Sequence, residues 1–434
     1  MNKARIAALL AALALIAAAC GEESPDSAAP TDDPNPASEM ATDGGAEGGD
    51  LASYGESTDA DPALVERALG PVEGVPDIVL ASIARAEQEI DDATLEVALE
   101  CWNNVECETG SEGDLVMGVA DGGRLNVWRQ VTHMEAILQA LTYDEIGTIV
   151  SRDAQWNEDP AVAANDIRFL IERGVDFIIG YPDQGVAIAD AILEAKEAGI
   201  PYIPYSAGWV GLPDQDGALV PDEDYLTIVG EDLCALGESF ADVHNEQIDS
   251  GTVGVMGGTP GNALSAGWQE CYIPALKDEI ELVGDPADTF WVNDVALQTV
   301  QGWLSSTPDI QGFAYEYADG LYTALDAYEQ VGADLDELVL AVRTDEQTLF
   351  CDWAERGNPN YQIWYSAGGN FQSRIAVTAG MLEQQGMEIP AEIVVPHVMR
   401  QVTEEDCDAD RVTPTVSGTS LVPDNVLSAM YPEG

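Results

Sequence analysis

The chain has 434 residues, with 79 aspartates and glutamates against 16 lysines and arginines, for a formal net charge of −63. A surface of that sign repels nucleic acid and anionic lipid headgroups, so neither is expected as a partner. Only nine of the acidic residues lie in 22–50, so the acidity belongs to the whole surface, and self-repulsion of that size suits a salty setting where it is screened.

Residues 1–19 read as an export signal. Lys3 and Arg5 give a positive start, and Ile6–Ala19 is an apolar run too short to span a bilayer comfortably. Ala17, Ala18 and Ala19 then lead into Cys20. The stretch resembles a bacterial lipoprotein signal, with Ala17 where Leu is usual, which implies cleavage before Cys20 and acylation of its sulfur. Residues 20–60 are rich in Ser, Pro, Gly, Ala and acidic residues, a composition expected to form a disordered tether. The membrane is then reached through the lipid anchor only.

From Asp61 to Trp102 the spacing of Leu64, Ala68, Ile78, Ile83, Ile90, Leu95 and Leu99 predicts helices, placed in an N-terminal extension over 61–112. Six cysteines besides Cys20 fit an exported protein and allow fifteen pairings. Neighbourhood in sequence favours Cys101–Cys107, Cys234–Cys271 and Cys351–Cys407. With no CxxC and only His133, His244 and His397, no zinc site is expected.

Leu115–Val119 reads as a buried strand. Asp159 and Pro160 start a helix whose apolar face is Val162, Ile167, Leu170 and Ile171, with Gly174 as its stop. Val175–Gly180 is the next strand, then a helix carrying Ile188, Ile192 and Ala195, then Gly199 and the strand Ile200–Tyr205. Strand and helix alternating at this spacing imply right-handed crossovers and a parallel sheet. The pattern restarts with strands at Leu226–Val229, Gly251–Met256, Gln311–Tyr315 and Leu338–Val342. Ala318–Gln330 is a helix stopped by Gly332. Two such arrays imply two lobes, with ligands at the carboxyl ends of the strands.

Enzyme motifs are missing. Gly257–Asn262 is Gly-rich but lacks the Gly-Lys-Ser/Thr of a P-loop, and there is no G-x-S-x-G or H-E-x-x-H. His133 and Glu135, two apart on a helix, cannot share a metal. The run Asp214, Asp216, Asp222, Asp224 reads as a solvated loop rather than a calcium site. No metal or cofactor is expected. What recurs at the strand ends is a set of polar and aromatic residues: Asn126, Trp128 and Arg129; Tyr181 and Asp183; Ser206 and Trp209; then Asn262, Tyr315, Tyr317, Asp319, Asp345, Asn370 and Gln372. Aromatic faces with Asn, Asp and Arg around them suit a sugar's C–H surfaces and hydroxyls. Singly each has a plainer role, such as core for Trp128, a helix cap for Asp319 or inter-lobe packing for Tyr317.

From Gly113 to Val402 the chain resembles the type I periplasmic sugar-binding proteins of ABC transporters, the ribose- and galactose-binding group. The matching pieces are Gly118-Val119-Ala120 with Asn126-Val127-Trp128-Arg129, Gly174–Ile179, Ala198–Pro201, Gly257–Asn262, Tyr317–Gly320, Arg343-Thr344-Asp345 and Asn370–Arg374. The resemblance implies an α/β fold of two Rossmann-like lobes joined by three crossovers and closing by hinge motion. It places lobe 1 at 113–229 plus 371–394 and lobe 2 at 230–370 plus 395–434. It assigns Asn126, Trp128, Arg129, Asp345 and Asn370 or Gln372 to the ligand. Where many pentose and hexose binders carry Asp-Arg, this chain has Ser206-Ala207, which turns the expectation toward a polyol, furanose or modified sugar. The expected function is capture of a sugar or polyol outside the cytoplasm, without catalysis, by a monomer that delivers it to a membrane permease. A receptor of the same fold is the alternative, and a secreted hydrolase a more distant one.

Overall fold

The computed structural model describes residues 51–432 except 122–123, 125, 154–158, 207, 334, 358–359 and 412–415. The signal, Cys20 and most of the expected tether lie outside the described residues. The tether's last part is not a tether. Leu51–Tyr54 forms a 3-10 turn with Leu51 buried, and the buried Glu56 carboxylate accepts from Arg85 Nε (2.6 Å) and Nη2 (2.8 Å). An apolar anchor and a partnered charge are enough to order these residues.

The extension holds α1 (Pro62–Leu69), α2 (Asp77–Arg85), α3 (Asp92–Asn103) and a strand that periodicity did not reveal, β1 (Glu106–Glu108). Asp61 and Asp91 cap α1 and α3 through side-chain acceptors. The Cys101–Cys107 bond holds β1 to α3, and β1 pairs antiparallel with Thr148, Ile149 and Val150 of the first lobe. Arg85 stacks on Tyr143 at 3.6 Å, which docks the extension onto the first lobe.

That lobe runs β2 (Leu115–Asp121), α4 (Val127–Ala140), β3 (Ile146–Asp153), α5 (Pro160–Arg173), β4 (Phe177–Gly180), α6 (Ala189–Glu197) and β5 (Tyr202–Pro204). Its sheet order is β1-β3-β2-β4-β5, parallel apart from β1. Asp159 caps α5 by accepting from Ala161 N at 2.9 Å, and Gly174 ends it at φ 68°. β3 escapes a sequence reading because Gly147 and Thr148 break its apolar run and Ser151, Arg152 and Asp153 end it early.

After β6 (Ile228–Gly230) come α7 (Leu233–Gln247), β7 (Gly251–Gly257), α8 (Ala263–Ala275), β8 (Ile280–Leu282), β9 (Ala287–Asp288), α9 (Asn293–Ser306), β10 (Ile310–Tyr315), α10 (Ala318–Val331), β11 (Val339–Val342), α11 (Gln347–Arg356) and β12 (Gln362–Tyr365). The chain then returns to the first lobe as α12 (Gln372–Gln384), which packs on α4 and β4. Gly380 permits that contact, since a Cβ there would stand 2.5 Å from the Phe177 ring. β13 (Glu392–Val394) pairs parallel with β6, and β14 (Arg400–Gln401) pairs antiparallel with β12. The second sheet reads β14-β12-β11-β10-β7-β8, with β9 beside β7. Three passages therefore join the two sheets: after β6, between β12 and α12, and after β13.

Cys234–Cys271 ties α7 to α8, and Cys351–Cys407 ties α11 to the segment after β14. The bonds formed are the three that neighbourhood favours. Within 395–434, the stretch expected in lobe 2, β14 pairs with β12 of the second sheet, while residues from Ser420 onward reach the first lobe and the extension. Ser420, Leu421 and Val422 bond to Glu135 of α4, whose buried carboxylate draws their donors, and α13 (Asp424–Met430) packs on α3.

Candidate functional site

The carboxyl ends of the strands of both sheets face one cleft. In the first lobe, Asn126 caps α4, accepting from Arg129 N at 2.9 Å, which turns Trp128 and Arg129 inward just beyond β2. Arg129 is almost fully buried. Its Nη1 meets Asp121 at 3.2 Å, its Nη2 bonds Asp183, and its guanidinium lies 3.5 Å over the Tyr181 ring. Burial opposes the charge, but Asp183 and Asp121 outweigh it and hold Arg129 above the ordinary arginine pKa. Burial also pushes Asp183 up to about 6 against the pull of Arg129.

In the second lobe, Glu316 follows β10 directly. Its carboxylate accepts from Gly258 N (3.0 Å), Trp268 Nε1 (2.9 Å), Trp291 Nε1 (3.1 Å) and Ser265 Oγ. Burial raises its pKa, while these donors act in the opposite direction. Trp291 sits in the left-handed region at φ 52°, uncommon for a bulky residue, and its ring fills the space a side chain at Gly258 would take. After β11, Arg343 is paired with Glu231 through Nε (3.1 Å) and Nη2 (2.9 Å). Burial works against both charges, yet each raises the other's charged form, so Glu231 lies below and Arg343 above its usual value.

The lobes meet around this space. Arg343 Nη2 donates to Ser206 Oγ at 3.0 Å, Asn262 Nδ2 donates to the Asp183 carbonyl at 3.3 Å, and Tyr181 meets Trp291 edge-on at 6.2 Å. Ser206 reaches Arg343 from a left-handed backbone at φ 65°. The cleft between the lobes is narrow and is walled by Trp128, Tyr181, Trp291 and Tyr317, with Asn126, Arg129, Leu264, Glu316, Arg343 and Thr344.

Of the residues expected from sequence, Asn126, Trp128, Arg129, Tyr181 and Tyr317 line the cleft. The others stand behind it. Asp183 holds Arg129, Ser206 receives Arg343, and Asn262 caps α8 by accepting from Leu264 N. Asp319 accepts from Tyr317 and from Asn293 rather than capping α10, whose N-cap is Tyr317. Asn370 donates to the Trp128 carbonyl and to Thr132, and Gln372 is buried at the start of α12. Asp345 likewise stands behind the cleft: its carboxylate accepts from Ser417 and Thr419, because the C-terminal segment supplies hydroxyl and backbone donors within reach. Missed were Leu264, Trp291, Glu316, Arg343 and Thr344. Glu316, directly after a strand and between two tyrosines, carried a readable signal, and so did Arg343-Thr344. Trp291 follows a two-residue strand and carried none.

Two α/β lobes with a polar and aromatic cleft at facing strand ends define a two-lobed solute-binding protein. The model of the periplasmic binding protein domain matches residues 119–384, well over half of the chain, and the chain belongs to that family. It is 26% identical over 178 residues to a xylitol-binding protein of Mycolicibacterium smegmatis, covering 41% of this chain and 48% of that one. It is likewise 26% identical over 160 residues to the D-xylose-binding periplasmic protein of Escherichia coli, covering 36% of this chain and 44% of that one. The aligned part thus spans about half the length of these curated relatives. The fold is that of an ABC transporter solute-binding protein from Agrobacterium vitis solved with D-fucose, at TM-score 0.58 and 17% identity over 69% of this chain and 99% of that one.

Proposed function

We propose that this protein captures a neutral sugar or polyol between its lobes and delivers it to the membrane permease of an ABC transporter. The observation that carries this reading is the charge balance of the aromatic cleft: each guanidinium on its wall is already paired with buried carboxylates, Arg129 with Asp121 and Asp183, and Arg343 with Glu231. Among the described residues of the cleft no uncompensated cation waits for an anionic ligand, while the remaining donors and acceptors suit hydroxyls. Xylitol and D-xylose, named for the two curated relatives, are of that class. Specificity follows because a rejected analogue leaves buried polar groups unpaired. Nothing in this reading asks for bond-breaking chemistry. Export and a lipid on Cys20 hold the domain at the outer face of the membrane, within reach of its permease.

The test is a thermal-shift screen in high salt against pentoses, hexoses, polyols, sugar acids, nucleosides and amino acids. A ligand at a thousand times its dissociation constant stabilises the fold by about 4 kcal/mol. Stabilisation by xylitol, D-xylose or another neutral polyhydroxyl compound, and none by D-xylonate, is the expected result. A response confined to sugar acids, nucleosides or amino acids refutes the ligand class.

A further inference from the structure

The segment Ser417–Val422 lies against both lobes. Asp345, which follows β11 of the second lobe, accepts from Thr419 N (2.9 Å), Thr419 Oγ1 (3.2 Å) and Ser417 Oγ. Glu135, in α4 of the first lobe, accepts through one oxygen from Ser420 Oγ (2.8 Å), Leu421 N (2.7 Å) and Val422 N (3.1 Å). Its other oxygen bonds Arg374 of α12. Both carboxylates are buried, at 2% and 0% exposure, so their bonds are sheltered from competing water. Arg67 of α1 adds a bond to the Gly418 carbonyl at 3.0 Å.

Thr419 is fastened to the second lobe and Ser420, the next residue, to the first. Adjacent Cα atoms stand about 3.8 Å apart, so the chain has almost no slack between the two anchors. Rotation that separates Asp345 from Glu135 must break one set of bonds and leave a buried carboxylate short of donors. We infer that Asp345 and Glu135 are positioning residues, and that Ser417–Val422 is a non-covalent strap, additional to the three chain passages, that limits how far the lobes part. The inference rests on the capture reading for its effect on affinity: a smaller binding-competent fraction raises the apparent dissociation constant in proportion.

The experiment is small-angle scattering of the ligand-free protein, with melting temperature as a check on folding, on Ser420→Ala, Ser417→Ala/Thr419→Ala, Asp345→Asn and Asp345→Ala. Ser420→Ala removes one hydroxyl and leaves two backbone donors on Glu135, so it keeps the test available if Asp345→Ala does not fold. The expected result is a larger radius of gyration for the folded strap variants, with Asp345→Asn, which keeps an acceptor for Thr419 N, falling between wild type and Asp345→Ala. The apparent dissociation constant for xylitol then rises about tenfold in the variants. A radius of gyration equal to wild type in folded variants overturns the strap, whether or not xylitol binds. So does weakened xylitol binding in Asp345→Ala alone at unchanged dimensions, which would make Asp345 a direct ligand contact. Failure of wild type to bind any sugar or polyol removes the capture reading while leaving the scattering result to stand.

Discussion

Arg343 combines a structural and a binding role, and the two are separable. Its guanidinium and the Glu231 carboxylate are each 2% exposed and joined by two hydrogen bonds. Arg343→Met leaves Glu231 buried without its counter-charge, a change that costs about 3–5 kcal/mol. Arg343→Met/Glu231→Leu removes both charges and fills the space with apolar atoms, so most of that stability returns. Ligand binding does not return. A hydrogen bond from a guanidinium to a ligand hydroxyl contributes about 1.5–3 kcal/mol, which is a ~10- to 150-fold rise in dissociation constant. Urea melts at fixed salt measure the first quantity, and calorimetric titration with xylitol or D-xylose measures the second. A double variant that binds as tightly as wild type would show that Arg343 serves only the fold. A double variant as unstable as the single one would show that the pairing with Glu231 is not what makes the single change costly.

Acid stability depends on His244, which is fully buried between the Tyr272 hydroxyl (2.6 Å from Nδ1) and the Val339 carbonyl (3.3 Å from Nε2). Burial lowers its pKa from 6.5 to about 4. Between those values the unfolded chain binds a proton that the folded protein refuses, so stability falls as pH falls, by about 3 kcal/mol from this group between pH 7 and pH 4. Relative to wild type, His244→Gln should gain about 3 kcal/mol of stability between pH 7 and pH 4, and a difference between the two that stays constant across that range in chemical denaturation refutes it. The disulfides Cys234–Cys271 and Cys351–Cys407 close spans of 37 and 56 residues, each stabilising by about 4 kcal/mol through the entropy of the unfolded chain. Cys234→Ser/Cys271→Ser should lower the melting temperature markedly in high salt, and a curve that overlays wild type rules that contribution out.

The alternation of strands and helices, the Asp159–Pro160 start and Gly174 stop of α5, and the Gly332 stop of α10 were legible in the sequence, because periodicity, capping and left-handed stops are settled within a few residues. Five cleft residues were legible for the same reason: Asn126, Trp128, Arg129, Tyr181 and Tyr317 sit where a strand gives way to the next element. Which side chains finally face the cleft was decided by tertiary structure. Asp345 has the right place after a strand, yet it is taken by Ser417, 72 residues further on. Arg343 stands two residues earlier and reaches the cleft because Glu231, 112 residues away, neutralises it there. Trp291 depends on the bare backbone of Gly258 for its seat. A sequence specifies through local physics where a polar group leaves its strand. The partner of a buried charge is set by which distant groups folding brings near enough to offset its lost hydration, and only the folded chain settles that.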